Sequence, residues 1–262
     1  MQTLTELRSK HIRELLNNPR ARRGDSEFVV EGPHLIEAAL EKAQKLILYI
    51  AVTQKAIERH PELLEHAESL GLSCFALSPN HAGRITNATE PQGWFAVLRM
   101  PRPSIGAHAE LRGDVVIALD GLQDPGNVGT IIRTAAWFGV ETILLGNSTA
   151  DPFAPKVVRS TQGAIFDVSL ETGINLSKRL TDLRASGRQI IATTLDSEAT
   201  SVFDATFPER CVLLFGTEAH GIDPDLLPLA SSRIVIPKYG IGESLNVAIS
   251  AGIVLAEMRR PR

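Results

Sequence analysis

The feature that most constrains the fold is a series of short, almost wholly apolar runs in the second half of the chain. They are Val115–Leu119, Thr142–Leu145, Gln189–Thr193, Cys211–Phe215 and Arg233–Ile236. Because both faces of such a run are apolar, we expect strands that are buried on both sides, which is typical of a parallel sheet covered by helices. The sequence therefore predicts a doubly wound parallel α/β domain over residues 114–262.

The first part of the chain shows a similar alternation of strand and helix patterns. Strands are predicted at Glu27–Val30, Lys45–Val52, Leu72–Leu77 and Trp94–Leu98, and helices from Pro33 and between Gln54 and Leu70. We expect a smaller α/β domain over residues 1–100. Residues 101–113 are rich in Pro and Gly at their start and show no periodicity, so they are predicted to be a linker.

Composition and charge narrow the class of protein. Of the 262 residues 44% are apolar, which excludes global disorder, and the net charge of −3 excludes a globally basic nucleic-acid binder. The first 23 residues nevertheless carry a net charge of +4. Their cations are Arg8, Lys10, Arg13, Arg20, Arg22 and Arg23. Two interpretations stay open for this cluster, a solvated surface and contact with RNA phosphates.

The spacing of the two cysteines and the length of the apolar runs indicate where in the cell the protein is expected. Cys74 and Cys211 are far apart in sequence and form no CxxC pair, so neither a disulfide framework nor a cysteine zinc site is expected. No apolar run approaches the roughly 20 residues needed to span a bilayer, and the first residues lack a signal-peptide pattern. We expect a soluble cytoplasmic protein with no membrane segment and no metal.

Three loops follow predicted strands, where ligands bind in open α/β sheets. In the first, a helix beginning near Asn127 places Asn127, Thr130, Arg133 and Trp137 on one face. A glycine turn with an Asn cap and a solvated Arg explains the same residues. A nicotinamide-dependent oxidoreductase is disfavoured because Gly126-x-x-Gly129 is not the GxGxxG fingerprint.

The second and third loops also carry polar residues. Gly216 follows a strand directly, which allows close approach of a ligand or of another backbone, and Glu218 is either a helix cap or a functional carboxylate. In the third loop Ser244 is predicted as the N-cap of the last helix. Asn246, in the first turn of so apolar a helix, needs a polar partner, and a substrate is one possibility.

Taken together, the loops resemble the SpoU (TrmH-like) family of RNA ribose 2′-O-methyltransferases. The similar segments are Asn127–Ala135, Leu213–Gly221 and Ile236–Val247, with Arg159–Ala164 between them and Glu31-Gly32 in the first domain. Departures from the family pattern are Thr217 where Asn is common, Lys238 where Met is usual, and the order of residues 247–250. None of these removes a proposed catalytic group, although Thr217 and Lys238 can alter pocket shape or substrate choice.

The resemblance implies a SPOUT-type fold in which the C-terminus forms a trefoil knot, with an N-terminal RNA-binding domain and a homodimer with composite active sites. It also implies S-adenosylmethionine as cofactor. The residues it indicates for the cofactor are Gly216, Ile236, Leu245, Leu214 and Thr193. The residues it indicates for catalysis or substrate are Arg133, Asn127, Glu218, Ser244 and Asn246, and Arg159 is expected to contact RNA with the basic N-terminal cluster.

The chemistry would be attack of a ribose 2′-oxygen on the sulfonium methyl group, which requires alignment and removal of a proton. Because a guanidinium has no lone pair to offer, we expect Arg133 to bind a phosphate and stabilise the developing alkoxide. Asn127 and Glu218 would orient Arg133, and Ser244 and Asn246 would hold the ribose or its phosphate. Ribosomal RNA is the favoured substrate; a transfer RNA methyltransferase and a non-catalytic ribosome-assembly factor are the alternatives.

Overall fold

The computed structural model describes residues 1–86, 91–101 and 111–261, and the chain forms two compact units. The first consists of Met1–Pro101 and Phe153–Phe166, and the second of Arg102–Pro152 and Asp167–Arg262. The domain boundaries expected from the sequence did not anticipate that Phe153–Phe166 belongs to the first unit. Most of the expected linker, residues 102–110, lies outside the described residues.

The first unit is a mixed five-stranded sheet with helices. Its strands are β1 (Gln2–Thr3), β2 (Glu27–Glu31), β3 (Ile47–Thr53), β4 (Cys74–Leu77) and β5 (Trp94–Arg99), in the order β1-β4-β3-β5-β2. Its helices are α1 (Glu6–Asn17), α2 (Pro19–Asp25), α3 (Pro33–Lys42), α4 (Gln54–Arg59), α5 (Pro61–Ser69) and α6 (Pro79–Ile85). β1, β4 and β3 are parallel, whereas β5 is antiparallel to both β3 and β2.

The second unit is a seven-stranded sheet in which every pairing is parallel. Its first strands and helix are β6 (Val115–Leu119), α7 (Pro125–Trp137) and β7 (Thr142–Gly146). After α8 (Pro155–Thr161), which belongs to the first unit, follow β8 (Ser169–Ile174), α9 (Leu176–Ala185), β9 (Gln189–Thr193), β10 (Thr200–Ser201), β11 (Cys211–Phe215), β12 (Ser232–Val235) and α10 (Val247–Met258). The strand order is β10-β12-β9-β11-β6-β7-β8.

Burial explains why this sheet forms. Every residue of β6, β7 and β11 is buried, as the apolar runs predicted for a sheet covered on both faces. The predicted α/β class with a parallel sheet is therefore confirmed. The trefoil knot implied by the family resemblance stays a prediction.

The sequence patterns missed three strands, β1, β8 and β10. β8 contains Glu171, a charged residue that interrupts any apolar run. In the fold this carboxylate is buried and receives two hydrogen bonds from the guanidinium of Arg179, at 3.0 and 2.8 Å. A buried carboxylate is tolerated when it is paired in this way. Within the described residues, no helix has the length and apolarity required to cross a membrane.

Candidate active site

A large cavity opens where three neighbouring parallel strands of the second unit end. Thr193 at the end of β9 pairs in register with Ile234 of β12, and β11 lies on the other side of β9. The cavity has a volume of about 610 Å³ and is lined by residues that end or follow all three strands. This is the size of a small-molecule site, at the edge of the sheet where α/β folds bind ligands.

The loop after β11 is a tight turn that presents Glu218. Thr217 and Gly221 exchange backbone hydrogen bonds of 2.9 and 2.8 Å, and the hydroxyl of Thr217 accepts a bond of 3.0 Å from the N–H of His220. A Cβ at Gly216 would overlap the carbonyl of Gly221. The sequence analysis gave two reasons for a glycine at this position, close approach of a ligand or of another backbone. The structure shows the second, because the backbone of Gly221 lies against Gly216.

The helix α7 presents the polar face that its sequence predicts. Asp124, not Asn127, is its N-cap and accepts a hydrogen bond of 2.8 Å from the N–H of Asn127. Ile131, Ile132 and Ala135 are fully buried, whereas the other side of the helix is open to solvent. That open side carries Thr130, Arg133 and Trp137, with Asn127 partly exposed at its start.

The cap of α10 differs from the prediction. Ser244 was expected to cap this helix, but the cap is Asn246, whose Oδ1 accepts from the N–H groups of Ala248 at 2.9 Å and Ile249 at 3.3 Å. Ser244 is exposed and lines the cavity. The apolar first turn of α10 is thus stabilised by the polar residue immediately before it.

Three of the predicted catalytic residues form one hydrogen-bonded cluster. Glu218 Oε1 accepts from Asn127 Nδ2 at 2.9 Å, from Asn246 Nδ2 at 3.1 Å and from the N–H of Val247 at 3.2 Å. Asn246 Nδ2 also lies 2.9 Å from Asn127 Oδ1. The carboxylate lies at the N-terminus of α10, where the helix dipole favours negative charge. The polar partner that Asn246 needs is therefore supplied by the protein itself.

Arg133 stands apart from this cluster. Its side chain is exposed and makes no hydrogen bond or ion pair with any residue that the structure describes. The expected orientation of Arg133 by Asn127 and Glu218 is not seen, because these two residues bond to each other and to Asn246. Arg133 is an exposed cation on the polar face of α7 and is open to a ligand anion.

Four of the five predicted cofactor residues line the cavity. These are Thr193, Gly216, Ile236 and Leu245. The fifth, Leu214, has its side chain in the hydrophobic core, and its carbonyl accepts a hydrogen bond of 3.0 Å from the hydroxyl of Thr193. The sequence reasoning missed Thr194 and Asp196, which also line the cavity. The same strand-end argument, applied to the loop after β9, would have found them.

The predicted RNA contacts in the first unit divide into two groups. Arg22 is 2% exposed, and its guanidinium donates to the carbonyl of Leu15 at 2.7 Å, so the expectation that Arg22 contacts RNA is wrong. It is buried because it completes the hydrogen bonds at the end of α1. The remaining cations of the N-terminal cluster are exposed: Arg8, Lys10, Arg13, Arg20 and Arg23.

Arg159 lies on α8, within the first unit. Its guanidinium is half exposed and is 3.5 Å from Glu31 Oε2, and the hydroxyl of Thr86 donates to the same oxygen at 3.1 Å. Burial raises the pKa of Glu31, an effect that the Thr86 hydrogen bond and the charge of Arg159 oppose. Glu31 Oε1 accepts no hydrogen bond in the described structure. The two sequence segments Glu31-Gly32 and Arg159–Ala164 therefore meet in one unit.

A parallel α/β unit with a ligand-sized cavity at its strand ends, next to a fixed carboxylate and amide cluster, defines an α/β enzyme that holds a small molecule beside a polar site. A sequence model of the SpoU rRNA Methylase family matches residues 114–256, and the MRM3-like substrate binding domain matches residues 8–96. The chain belongs to the SpoU rRNA methylase family. The predicted activity, S-adenosylmethionine-dependent 2′-O-methylation of RNA, is thereby confirmed.

Individual proteins are similar over almost the whole chain. The 23S rRNA (guanosine(2553)-2′-O)-methyltransferase RlmP of Bacillus subtilis is 34% identical, over 93% of each chain. A structure of a TrmH-family RNA methyltransferase from Porphyromonas gingivalis is 31% identical, with a TM-score of 0.83 over 98% of each chain. The SpoU methyltransferase AviRb of Streptomyces viridochromogenes, solved with AdoMet, is 26% identical, with a TM-score of 0.84 over 97% of each chain.

Proposed function

We propose that this protein methylates a ribose 2′-oxygen of 23S ribosomal RNA, in the cytoplasm. The observation that carries the reaction is the cavity at the ends of β9, β11 and β12, beside the cluster of Asn127, Glu218 and Asn246. The choice of RNA is supported by the relative RlmP, which is named as a 23S rRNA enzyme, and by the family description. The match of residues 8–96 to a substrate-binding domain agrees with a large RNA substrate.

The cavity fits an adenosyl and methionyl group. Its lining combines apolar side chains, such as Ile236 and Leu245, with the glycine backbone of Gly216 and the hydroxyl of Thr193. Apolar walls suit the adenine ring, and backbone groups and a hydroxyl suit its polar edge and the ribose. When bound, S-adenosylmethionine supplies a methyl group on a positively charged sulfur, which an oxygen nucleophile displaces.

The protein groups around this cavity have separate roles in the proposal. Glu218 fixes Asn127 and Asn246 and so holds the starts of α7 and α10 together beside the cavity. Ser244 is exposed on the cavity lining and is available to hydrogen-bond the ribose. Arg133 binds the neighbouring phosphate and stabilises the negative charge that develops on the attacking 2′-oxygen, whose proton is transferred to a water molecule.

The protein also acts as a homodimer in this proposal. Trp137 on α7 is 84% exposed and Ile249 on α10 is 54% exposed, which is unusual for large apolar side chains on two packed helices. Arg133 lies on the same face of α7 as Trp137. A second copy covering this face would exclude water from around Arg133. It would also bring protein groups next to the guanidinium, which has no hydrogen-bond or ion-pair partner among the described residues of one chain.

The test incubates the purified protein with radiolabelled S-adenosylmethionine and unmodified 23S rRNA, 16S rRNA or total transfer RNA, followed by digestion to nucleosides. A 2′-O-methylnucleoside in 23S rRNA alone is the expected result. Label in transfer RNA, in 16S rRNA or on a base would contradict the proposal. Cofactor binding with no label in any RNA would favour the non-catalytic alternative.

The role of Arg133 has its own test. We expect Arg133→Ala to lower kcat by at least about 100-fold, the cost of losing one group that stabilises developing charge. The Kd for S-adenosylmethionine, measured by calorimetry, should stay within a few-fold because Arg133 does not line the cavity. A large loss of cofactor affinity would show that this division of roles is wrong.

A further inference from the structure

A small basic pocket lies in the first unit, formed by α1 and α6. It has a volume of about 120 Å³, and its lining includes Glu6, Ser9, Lys10, Arg13, His81 and Arg84. The sequence indicated Lys10 and Arg13 as members of the basic N-terminal cluster, but it did not indicate His81 or Arg84, which lie far along the chain. Folding therefore gathers basic side chains from two helices around one cavity.

The charges of this pocket are not neutralised within the protein. Lys10, Arg13 and Arg84 are exposed, and none of them makes an ion pair with a residue that the structure describes. Glu6 is the acidic member of the lining, and its Oε2 lies 3.3 Å from His81 Nε2. With His81 neutral the pocket carries a formal charge of +2. Three unpaired cations around one cavity attract an anion.

Ser9 adds a hydroxyl to the lining of this pocket. Ser9 lines the pocket together with Lys10, Arg13 and Arg84, and its hydroxyl makes no hydrogen bond within the described part of the chain. A phosphate oxygen accepts bonds from a hydroxyl, an ammonium and a guanidinium alike.

We propose that this pocket binds one backbone phosphate of the RNA substrate, with Ser9, Lys10, Arg13 and Arg84 as donors. The inference rests on the proposed function, and it goes further by assigning a phosphate site within the substrate-binding domain. Contacts to phosphates set the register of a nucleic acid without reading its sequence. The pocket therefore helps to fix where the RNA lies on the first unit, and the target nucleotide is selected elsewhere.

The test measures binding of unmodified 23S rRNA to wild type, Arg84→Ala, Arg84→Lys and Arg59→Ala over a range of KCl concentrations. Arg59 is the matched control, because it is an exposed arginine of the same unit, ends a helix and lies outside the pocket. Loss of one phosphate contact should reduce the slope of log K against log salt by about 1 for Arg84→Ala. Arg84→Lys should restore most of the slope, and Arg59→Ala should leave it unchanged.

Methylation kinetics separate this pocket from the catalytic site. We expect Arg84→Ala to raise KM for RNA by about 3-fold to 10-fold at physiological salt, with kcat and cofactor Kd unchanged. Ser9→Ala should raise KM by a smaller factor. If Arg84→Ala matched Arg59→Ala in both salt slope and KM, the pocket would not be a phosphate site. If wild type methylated no 23S rRNA, the proposed function would fail, and this outcome is seen before any variant is compared.

Discussion

At the scale of single residues, one carboxylate oxygen joins three segments that are distant in sequence. Glu218 Oε1 accepts from the side chains of Asn127 and Asn246 and from the backbone of Val247. Hydrogen bonds to a charged acceptor are stronger than neutral ones, at about 1.5–3 kcal/mol each. The loop after β11 and the first turns of α7 and α10 are therefore held in a fixed arrangement beside the cavity.

Asn246 has a structural role that can be measured apart from catalysis. We expect Asn246→Ala to lower the free energy of unfolding by about 1–2 kcal/mol, because it removes the N-cap of α10 together with its bonds to Asn127 and Glu218. Urea unfolding of the two proteins measures the difference. Ser244→Ala, at an exposed position that does not cap the helix, should change stability by less than about 0.5 kcal/mol. Equal losses in the two variants would refute this assignment of the cap.

Glu31 should make stability depend on pH. Burial raises its pKa, so the folded protein keeps this proton at pH values where the unfolded chain has released it. The contribution of Glu31 to the free energy of unfolding therefore falls as pH rises from the ordinary glutamate pKa to the raised one, by at most about 1.4 kcal/mol per pH unit.

The measurement compares urea unfolding of wild type and Glu31→Gln between about pH 4 and pH 7. The stability of wild type minus that of the variant should fall as pH increases through this window. Glu41→Gln is the control, because Glu41 is an exposed glutamate of the neighbouring α3. A difference between wild type and Glu31→Gln that is constant with pH would show that burial does not shift this group.

At the scale of elements, α7 and α10 pack side by side and run in the same direction. Their starts meet through Asn127 and Asn246, and their ends meet through Arg259, which donates to the carbonyl of Phe138 at 3.0 Å and to that of Gly139 at 3.5 Å. The last carbonyl groups of a helix lack partners within the helix, and a cation satisfies them well. Hydrogen bonds therefore connect α7 and α10 at both ends of the helix pair.

Removing the hydrogen bonds between Arg259 and the C-terminal end of α7 should destabilise the protein. We expect Arg259→Ala to lower the free energy of unfolding by about 1 kcal/mol, because two carbonyls lose a charged donor. Arg260→Ala is the control, since the Arg260 guanidinium is 3.3 Å from the carboxylate of Glu257, near the end of α10, and makes no bond to α7 within the described residues. Thermal unfolding should show a larger decrease in Tm for Arg259→Ala than for Arg260→Ala; the reverse order would contradict the contact.

The elements that the sequence predicts well are those whose burial is uniform. β6 and β11, in which every residue is buried, were predicted at their observed bounds, because residues buried on both faces give continuous apolar runs. β9 was also predicted at its observed bounds, although only its three central residues are buried. β8 was missed because its buried Glu171 depends on Arg179, a partner that no local pattern reveals. The residues of the candidate site were likewise predicted from loop positions and family resemblance. The bonds among them were not, because Asn127 bonds to Glu218 and Asn246, which lie 91 and 119 residues further along the chain.

At the scale of the whole molecule, the proposed homodimer gives a prediction about association. Trp137→Glu places a charge at the centre of the proposed contact face, and we expect it to convert dimers to monomers in analytical ultracentrifugation and to reduce methylation. Leu7→Glu is the control, because Leu7 is 78% exposed on α1, away from α7 and α10 in the chain. A wild type that sediments as a monomer at assay concentrations would contradict the dimer.

Because Phe153–Phe166 belongs to the first unit, the two units cannot fold strictly one after the other during synthesis. Phe153 is buried against Phe28, with ring centroids 4.9 Å apart, and Gly163 lies against Ala38. Domains usually fold as they emerge from the ribosome, N-terminal first. Here the first unit cannot complete its packing when residue 101 has been synthesised. It must wait for residue 166, by which time two strands of the second sheet have also left the ribosome, so the nascent chain completes one unit only after it has begun the other.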